Sequence, residues 1–342
     1  MKYKLLGSSG LRVSEICLGT MTFGTEWGYG ADKNISKEIF DYYLSQGGNF
    51  IDTANRYTEG TSEIYLGEFV KQSGVRDQLV IATKYSLVTQ FGKINDGGNH
   101  RKNLVQSVEG SLKRLQLDYI DLLYLHAWDF TTPYDELMRA LDNLVSAGKV
   151  LYIGISDTPA WIVASCNTIA RLRGWSRFIA LQIEYSLITR DAERDLIPMA
   201  LHEGLGVVAW APLAGGALTG KYLNLQNNDP KRLKEGSKRI NERNTLIAKA
   251  VTDMANDTGY AAAHIALAWI MQKGKAFFPL VGARNVAQIQ DNIRASEIIL
   301  SESQIKILDE VSGIELGFPH DFLKSDAVKN VLFGGLKDNI NL

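Results

Sequence analysis

Three apolar runs of the sequence each end in a side chain that can ionise. The first run is followed at once by Asp52, with Tyr57 five residues further on, the second ends in Lys84, and the third ends in His126. Each of these residues alone is common as a turn, a cap or a solvated charge. Their occurrence at the same end of three successive strands is seldom accidental, and it predicts one shared site.

Together the four groups could deliver a proton to a carbonyl oxygen. A phenol is a weak acid at neutral pH, so Lys84 is expected to lower the pKa of Tyr57 by stabilising phenolate. Asp52 is expected to keep Lys84 charged, because a buried unpaired ammonium is costly. His126 could donate a hydrogen bond to the carbonyl oxygen. No side chain supplies hydride, so reduction at this site requires a nicotinamide cofactor.

The segment Asp52-Thr53-Ala54-Asn55-Arg56-Tyr57, followed by Lys84 and His126, resembles the catalytic tetrad of the aldo-keto reductase superfamily. The resemblance extends over nearly the whole chain, from Leu6 to Asn292. It implies a TIM barrel that binds NADPH in an extended conformation and reduces aldehydes or ketones. In that case Asp52, Tyr57, Lys84 and His126 are the catalytic residues, and Tyr57 is the proton donor.

The order of strands and helices predicts how these residues are positioned. Strand candidates fall near 16–19, 50–52, 79–83, 120–125, 151–155, 179–183, 206–210 and 276–281, and helix candidates include 36–46, 62–70, 103–115, 133–147 and 159–173. Eight strands alternating with helices predict an α/β fold, a closed (β/α)8 TIM barrel, over residues 1–342 as one domain. Two short strands around Gly7-Ser8-Ser9-Gly10 predict an N-terminal β-hairpin that plugs the barrel floor.

Three long βα loops are expected to build the pocket, since connections at the carboxyl ends of barrel strands carry the site. They run over 23–35, 85–101 and 214–243. Aromatic residues in and near the loops predict an apolar substrate pocket. The candidates for this pocket are Met21, Trp27, Tyr85 and Trp128. Each aromatic ring could instead pack only against its own loop.

Later strand ends are similar to the cofactor contacts of the same superfamily. Ser156 and Gln182 are suited to a nicotinamide carboxamide, and Trp210 to stacking on the nicotinamide ring. Asp157 stands where many members have asparagine, which leaves that contact open. The glycine loop before Lys221 presents backbone amides as a pyrophosphate clasp should. The complete set of cofactor candidates is Thr20, Ser156, Gln182, Trp210, Leu213, Gly215, Lys221, Gly282, Arg284, Gln288 and Asn292.

Arg284 favours NADPH over NADH, because an arginine at the start of a helix suits the 2'-phosphate. Gln288 stands where many NADPH-dependent members carry arginine, and Arg284 could instead be a solvated loop charge. The sequence alone therefore leaves the strictness of the NADPH preference open.

Composition narrows the possible partners. The formal net charge is −1, with 37 basic and 38 acidic residues, which predicts no general attraction to nucleic acid or to an anionic membrane. The amino terminus lacks an apolar signal core, and the two cysteines suggest no disulfide framework. We therefore expect a cytoplasmic protein with a small-molecule carbonyl substrate. The oligomeric state is left open.

Motifs for other chemistries are incomplete. The segment after Gly154 lacks the closing glycine of a hydrolase nucleophile elbow, and His202-Glu203 lacks the second histidine of a zinc protease, so no metal is predicted. Tyr222 stands where a nucleotide triphosphatase needs serine or threonine, and Lys33 stands where a Rossmann motif needs its third glycine. The main alternative is an NADPH-binding sensor or regulatory subunit, similar to the potassium-channel β-subunits.

Overall fold

The computed structural model describes residues 1–223, 233–234 and 236–340. Eight parallel strands, β3 to β10, follow one another around a closed barrel, and β10 pairs with β3 to close it. The strands are β1 Tyr3–Leu5, β2 Arg12–Ser14, β3 Cys17–Gly19, β4 Phe50–Asp52, β5 Val80–Tyr85, β6 Ile120–Leu125, β7 Val150–Ser156, β8 Phe178–Glu184, β9 Gly206–Trp210 and β10 Phe277–Gly282. The predicted TIM barrel is confirmed.

Helices pack around the barrel, except for α11 and α12 near the carboxyl end, which bury no residue. They are α1 Lys33–Ser45, α2 Thr61–Ser73, α3 Arg101–Leu115, α4 Tyr134–Ser146, α5 Ala160–Arg173, α6 Leu196–Glu203, α7 Glu242–Thr258, α8 Ala262–Gln272, α9 Val286–Arg294, α10 Glu302–Val311, α11 His320–Lys324 and α12 Asp326–Leu332. Helix α1 begins three residues before its predicted start at 36, because the side chain of Asp32 caps it by accepting from the backbone N–H of Ile35. Within the described residues, none of these helices has both the length and the apolar character needed to cross a bilayer.

Side-chain alternation along the strands decides which residues enter the barrel. Successive side chains of a strand point to opposite faces. Phe50, Ala82 and Tyr124 belong to the cluster inside the barrel, whereas Ile51 and Ile81 pack between barrel and helices. Two residues beyond Phe50, Ala82 and Tyr124, respectively, the same alternation carries Asp52, Lys84 and His126 into the barrel mouth. The strands therefore bring the three ionisable groups together.

The predicted hairpin is present and closes the amino end of the barrel. Strands β1 and β2 pair antiparallel, and Leu6 and Val13 are buried in the cluster that contains Phe50 and Phe278. Gly7 has a φ of 57°, and a Cβ there would lie 2.2 Å from the carbonyl oxygen of Ile179. Only glycine allows the turn to approach the barrel so closely.

Two of the predicted long loops follow β3 and β5 at the carboxyl end of the barrel. The third predicted connection, 214–243, includes 224–232 and 235, which lie outside the described residues. Its described beginning, Ala214–Thr219, forms a short 3-10 turn that starts four residues after the end of β9.

Candidate active site

A cavity of about 520 Å³ opens at the carboxyl ends of the barrel strands. Its volume lies in the range of roughly 300–1,000 Å³ that is common for small-molecule sites. Tyr57 and His126 line it, together with Ser156, Gln182 and Trp210 at the ends of β7, β8 and β9. The cavity therefore joins predicted proton-transfer groups to predicted cofactor contacts.

Lys84 lies at the centre of a buried hydrogen-bond network. Its ammonium forms an ion pair with Asp52 and donates to the carbonyl oxygen of Thr53 at 2.9 Å and to the hydroxyl of Tyr57 at 2.9 Å. The second carboxylate oxygen of Asp52 accepts from the amide nitrogen of Gln182 at 2.9 Å. Because all three ammonium protons have acceptors, the hydroxyl of Tyr57 accepts from Lys84 and retains its own proton for a ligand in the cavity.

The pKa of Tyr57 differs from the prediction that Lys84 would lower it. Burial raises the pKa of Tyr57, and this effect exceeds the lowering of that pKa by Lys84. Burial also acts to lower the pKa of Lys84, but Asp52 and Tyr57 together raise it above its ordinary value. At neutral pH Lys84 is therefore charged, while Tyr57 carries its proton.

His126 is held beside Tyr57 as a neutral imidazole. The two ring centroids are 5.8 Å apart, and the ring planes meet at 82°. Burial first, and then the charge of Lys84, lower the pKa of His126 to about 3. Among the described residues, no side chain or backbone group pairs with its buried Nδ1 atom. A neutral imidazole has one N–H, which is available to polarise an oxygen beside Tyr57.

Ten of the eleven cofactor candidates line this same cavity: Ser156, Gln182, Trp210, Leu213, Gly215, Lys221, Gly282, Arg284, Gln288 and Asn292. Thr20 does not line it. The side chain of Thr20 is buried, and its hydroxyl donates to the backbone carbonyl of Asp52 at 3.0 Å. Its neighbours Gly19 and Met21 line the cavity instead.

The aromatic pocket candidates occupy three different environments. Trp27 contacts Tyr57 edge to face, with ring centroids 6.3 Å apart, and donates to Glu59 at 3.1 Å. Trp128 is partly buried against the core between barrel and helices. Tyr85 belongs to that core, and its hydroxyl donates to the carbonyl of Asn99 at 3.2 Å. Tyr85 therefore does not line the substrate pocket, contrary to the prediction. Strand β5 continues through Tyr85, whose side chain points outward from the barrel.

Hydrogen bonds connect the loop after β5 to the loop after β6 at the barrel mouth. The side chain of Asn99 donates to the carbonyl of Ala127 at 2.9 Å and accepts from the backbone N–H of Asp129 at 2.8 Å. The carboxylate of Asp129 accepts from the backbone N–H of Asn99 at 2.6 Å and from Thr132. We call the reciprocal pair of Asn99 and Asp129 the loop clamp. It connects the loop after β5 to the loop after β6.

Sequence reasoning missed two polar pairs at the cavity. Arg239 lines the cavity and forms an ion pair with Glu184 at 2.6 Å. Asp157 also lines it and accepts a hydrogen bond from the indole N–H of Trp210 at 3.2 Å. No periodicity or motif connects residues so far apart in the chain. The only signal for the second pair is the aspartate itself, at a position where the superfamily often has asparagine.

No cluster of three or more histidine, cysteine, aspartate or glutamate side chains suited to a metal ion occurs in the part of the chain that the structure describes.

The chain is similar to known oxidoreductases over most of its length. The chain is 42% identical to norsolorinic acid reductase of Aspergillus flavus, over 93% of this chain and 83% of that protein. It is 39% identical to an aryl-alcohol dehydrogenase [NADP(+)] of Phanerodontia chrysosporium, over 93% and 87% of the two chains. It is 37% identical to a putative aryl-alcohol dehydrogenase of Saccharomyces cerevisiae, over 93% and 88%. The model of the aldo/keto reductase family matches residues 15–312. The chain thus belongs to the aldo/keto reductase family, as an oxidoreductase that acts on carbonyl and CH–OH groups.

Proposed function

We propose that this enzyme uses NADPH to reduce aldehydes or ketones attached to aromatic rings. The observation that carries the proposal is the continuous hydrogen-bond chain from Asp52 through Lys84 to Tyr57, which ends in the cavity beside a neutral His126. A general acid with a nearby oxyanion donor is the apparatus that carbonyl reduction requires.

The proposed roles follow from protonation and contact. Tyr57 gives its proton to the carbonyl oxygen, and Lys84 stabilises the phenolate that forms, because its ammonium already donates to that hydroxyl. Asp52 keeps Lys84 charged and oriented. His126 donates its single N–H to the same carbonyl oxygen and so aligns the substrate. A reduced nicotinamide, when bound, supplies the hydride.

The cavity suits a nicotinamide dinucleotide in several ways. Trp210 offers an aromatic face, and Ser156 and Gln182 offer polar groups beside it. Lys221, Arg239 and Arg284 add three cations to the same cavity. Gly216 has a φ of 92°, and a Cβ there would lie 2.6 Å from the Cε of Lys221. Because Gly216 has no side chain, the ammonium end of Lys221 can lie close to the glycine turn, which is an arrangement suited to phosphate.

NADPH is proposed over NADH because of the charge around Arg284. This arginine lines the cavity just before α9, and its backbone N–H is fixed by the side chain of Gln288 at 2.8 Å. An arginine beside a helix amino terminus gives a 2'-phosphate both charge and hydrogen-bond donors. One relative is named for NADP(+), which supports the same preference.

An aromatic substrate is proposed from the rings around the proton donor. Tyr29 lines the cavity, and Trp27 stands edge to face against Tyr57. Such rings favour planar aromatic ligands. The names of the reductase and dehydrogenases above point in the same direction, since two of them act on aryl alcohols by name.

The test is a fluorescence titration with NADPH and separately with NADH, followed by the loss of NADPH absorbance with matched aryl and alkyl aldehydes. We expect tighter NADPH binding and faster turnover of the aryl compounds. Tight binding without turnover of any carbonyl would instead favour a sensor subunit. Failure to bind either nucleotide would contradict the proposal.

A further inference from the structure

The main chain of Asp157 is held at the barrel mouth by β8 on one side and by the loop after β6 on the other. Its backbone N–H donates to the carbonyl of Gln182 at 3.4 Å, and its own carbonyl accepts from the N–H of Trp128 at 3.4 Å. Its φ is 39°, a left-handed conformation that aspartate tolerates better than most residues. These contacts fix the main chain that carries the carboxylate at the cavity.

The carboxylate of Asp157 and the indole of Trp210 form a pair inside the cavity. The Oδ1 atom of Asp157 accepts from the indole N–H at 3.2 Å, and both side chains line the cavity. Tryptophan has two rotatable side-chain torsions, so one hydrogen bond at the ring edge restricts which way the ring faces. Trp210 also occupies the last position of β9, where the main chain is fixed by strand pairing. Strand pairing fixes the main chain of Trp210, and the hydrogen bond fixes the orientation of its indole ring.

An aspartate is better suited to this task than an asparagine. Both carboxylate oxygens are acceptors, whereas an amide presents an acceptor in one orientation and a donor in the other. The indole N–H can only donate. The carboxylate of an aspartate can therefore accept from the indole N–H with either oxygen. Its negative charge makes the hydrogen bond stronger.

We propose that Asp157 is a positioning residue, whose hydrogen bond holds the indole of Trp210 in the orientation needed to stack on the nicotinamide ring. The inference rests on the proposed function, because it assumes that a nicotinamide binds in this cavity. Asp157 affects the cofactor only through its effect on Trp210. It stands at a position where the superfamily often has an asparagine.

The test is a double-mutant cycle on the dissociation constant of NADPH, measured by calorimetry. The variants are Asp157→Ala, Trp210→Phe and the double variant, with Asp157→Asn as the conservative change. Asp118→Ala is a control for the lost charge, because Asp118 is exposed between α3 and β6, away from the cavity lining. We expect Asp157→Ala to weaken binding about tenfold, which corresponds to about 1.4 kcal/mol. Asp157→Asn should weaken it less. In the Trp210→Phe background, Asp157→Ala should change the constant by less than about twofold, because no N–H remains to be held.

A second readout needs no cofactor. The indole emission of Trp210 is the difference between the spectra of the wild-type protein and of Trp210→Phe. We expect Asp157→Ala to lower the anisotropy of that component, with a melting temperature close to that of Asp118→Ala. A purely structural role would lower the melting temperature and leave the anisotropy unchanged.

The outcomes separate this inference from the proposed function. Additive effects of the two single changes on NADPH binding would overturn the role of Asp157, even if the wild-type enzyme binds NADPH and reduces aldehydes. A wild-type protein that binds neither NADPH nor NADH would overturn both. Coupled effects together with the change in anisotropy would support the positioning role.

Discussion

The hydroxyl of Tyr57 lies 2.9 Å from the ammonium nitrogen of Lys84 and receives a hydrogen bond from it. The phenolic proton is thereby directed away from Lys84, towards the cavity. Tyr57→Phe should lower kcat for reduction by about 10²- to 10⁴-fold, the usual contribution of a general acid. NADPH affinity should change little. Steady-state kinetics and a binding titration check this, with the half-exposed Tyr134→Phe as control; unaltered turnover would remove Tyr57 from the mechanism.

Lys84 is predicted to matter for stability as well as for turnover. Lys84→Met would leave the carboxylate of Asp52 buried without its ion pair, at a cost of roughly 3–5 kcal/mol in the free energy of unfolding. The double variant Asp52→Asn, Lys84→Met should regain much of this loss and remain inactive. Urea denaturation of both variants measures the effect. If the single variant is as stable as the wild type, the pair is not coupled in the folded protein.

The pH dependence should reflect a neutral His126. Its pKa is lowered to about 3 from an ordinary value near 6.5, so between these values the unfolded chain binds more protons than the folded one. The resulting contribution to stability is complete above about pH 6.5 and is lost as the pH falls towards 3. His126→Gln should therefore flatten the pH dependence of the unfolding free energy in this window. An identical slope in the variant would show that His126 is not buried as a neutral ring.

The value of kcat/KM for reduction should not fall as the pH is lowered through 6.5, since His126 does not gain a proton there. An alkaline limb should appear only above the ordinary tyrosine pKa of ~10, because burial raises the pKa of Tyr57. A profile of kcat/KM against pH, measured with the wild-type enzyme, checks both limbs. A limb near pH 7 would instead assign the proton transfer to another group.

Arg284 should set the preference between the two nucleotides. Arg284→Ala is expected to weaken NADPH binding by about 10- to 100-fold, the range for a lost hydrogen bond to a charged group, and to leave NADH binding nearly unchanged. Arg294→Ala is a suitable control, because Arg294 is exposed at the far end of the same helix α9. Equal losses for both nucleotides would place Arg284 away from the 2'-phosphate.

The sequence predicted the barrel and the meeting of its ionisable residues because strand spacing and strand ends are local properties. It did not predict how far each strand continues. The strand near 79–83 extends to Tyr85 in the structure, so a residue assigned to a loop became part of the wall. The pairing of Arg239 with Glu184 joins residues 55 positions apart, and only the folded chain shows it.

The loop clamp has a consequence for redesign of the enzyme. Each loop uses the other to satisfy backbone groups: Asn99 for the loop after β6, and Asp129 for the loop after β5. Grafting one loop from a relative would leave the other with unpaired N–H groups. The substrate range of a relative should therefore be transferred to this enzyme only when segments 86–99 and 127–132 are both replaced by the matching loops of that relative.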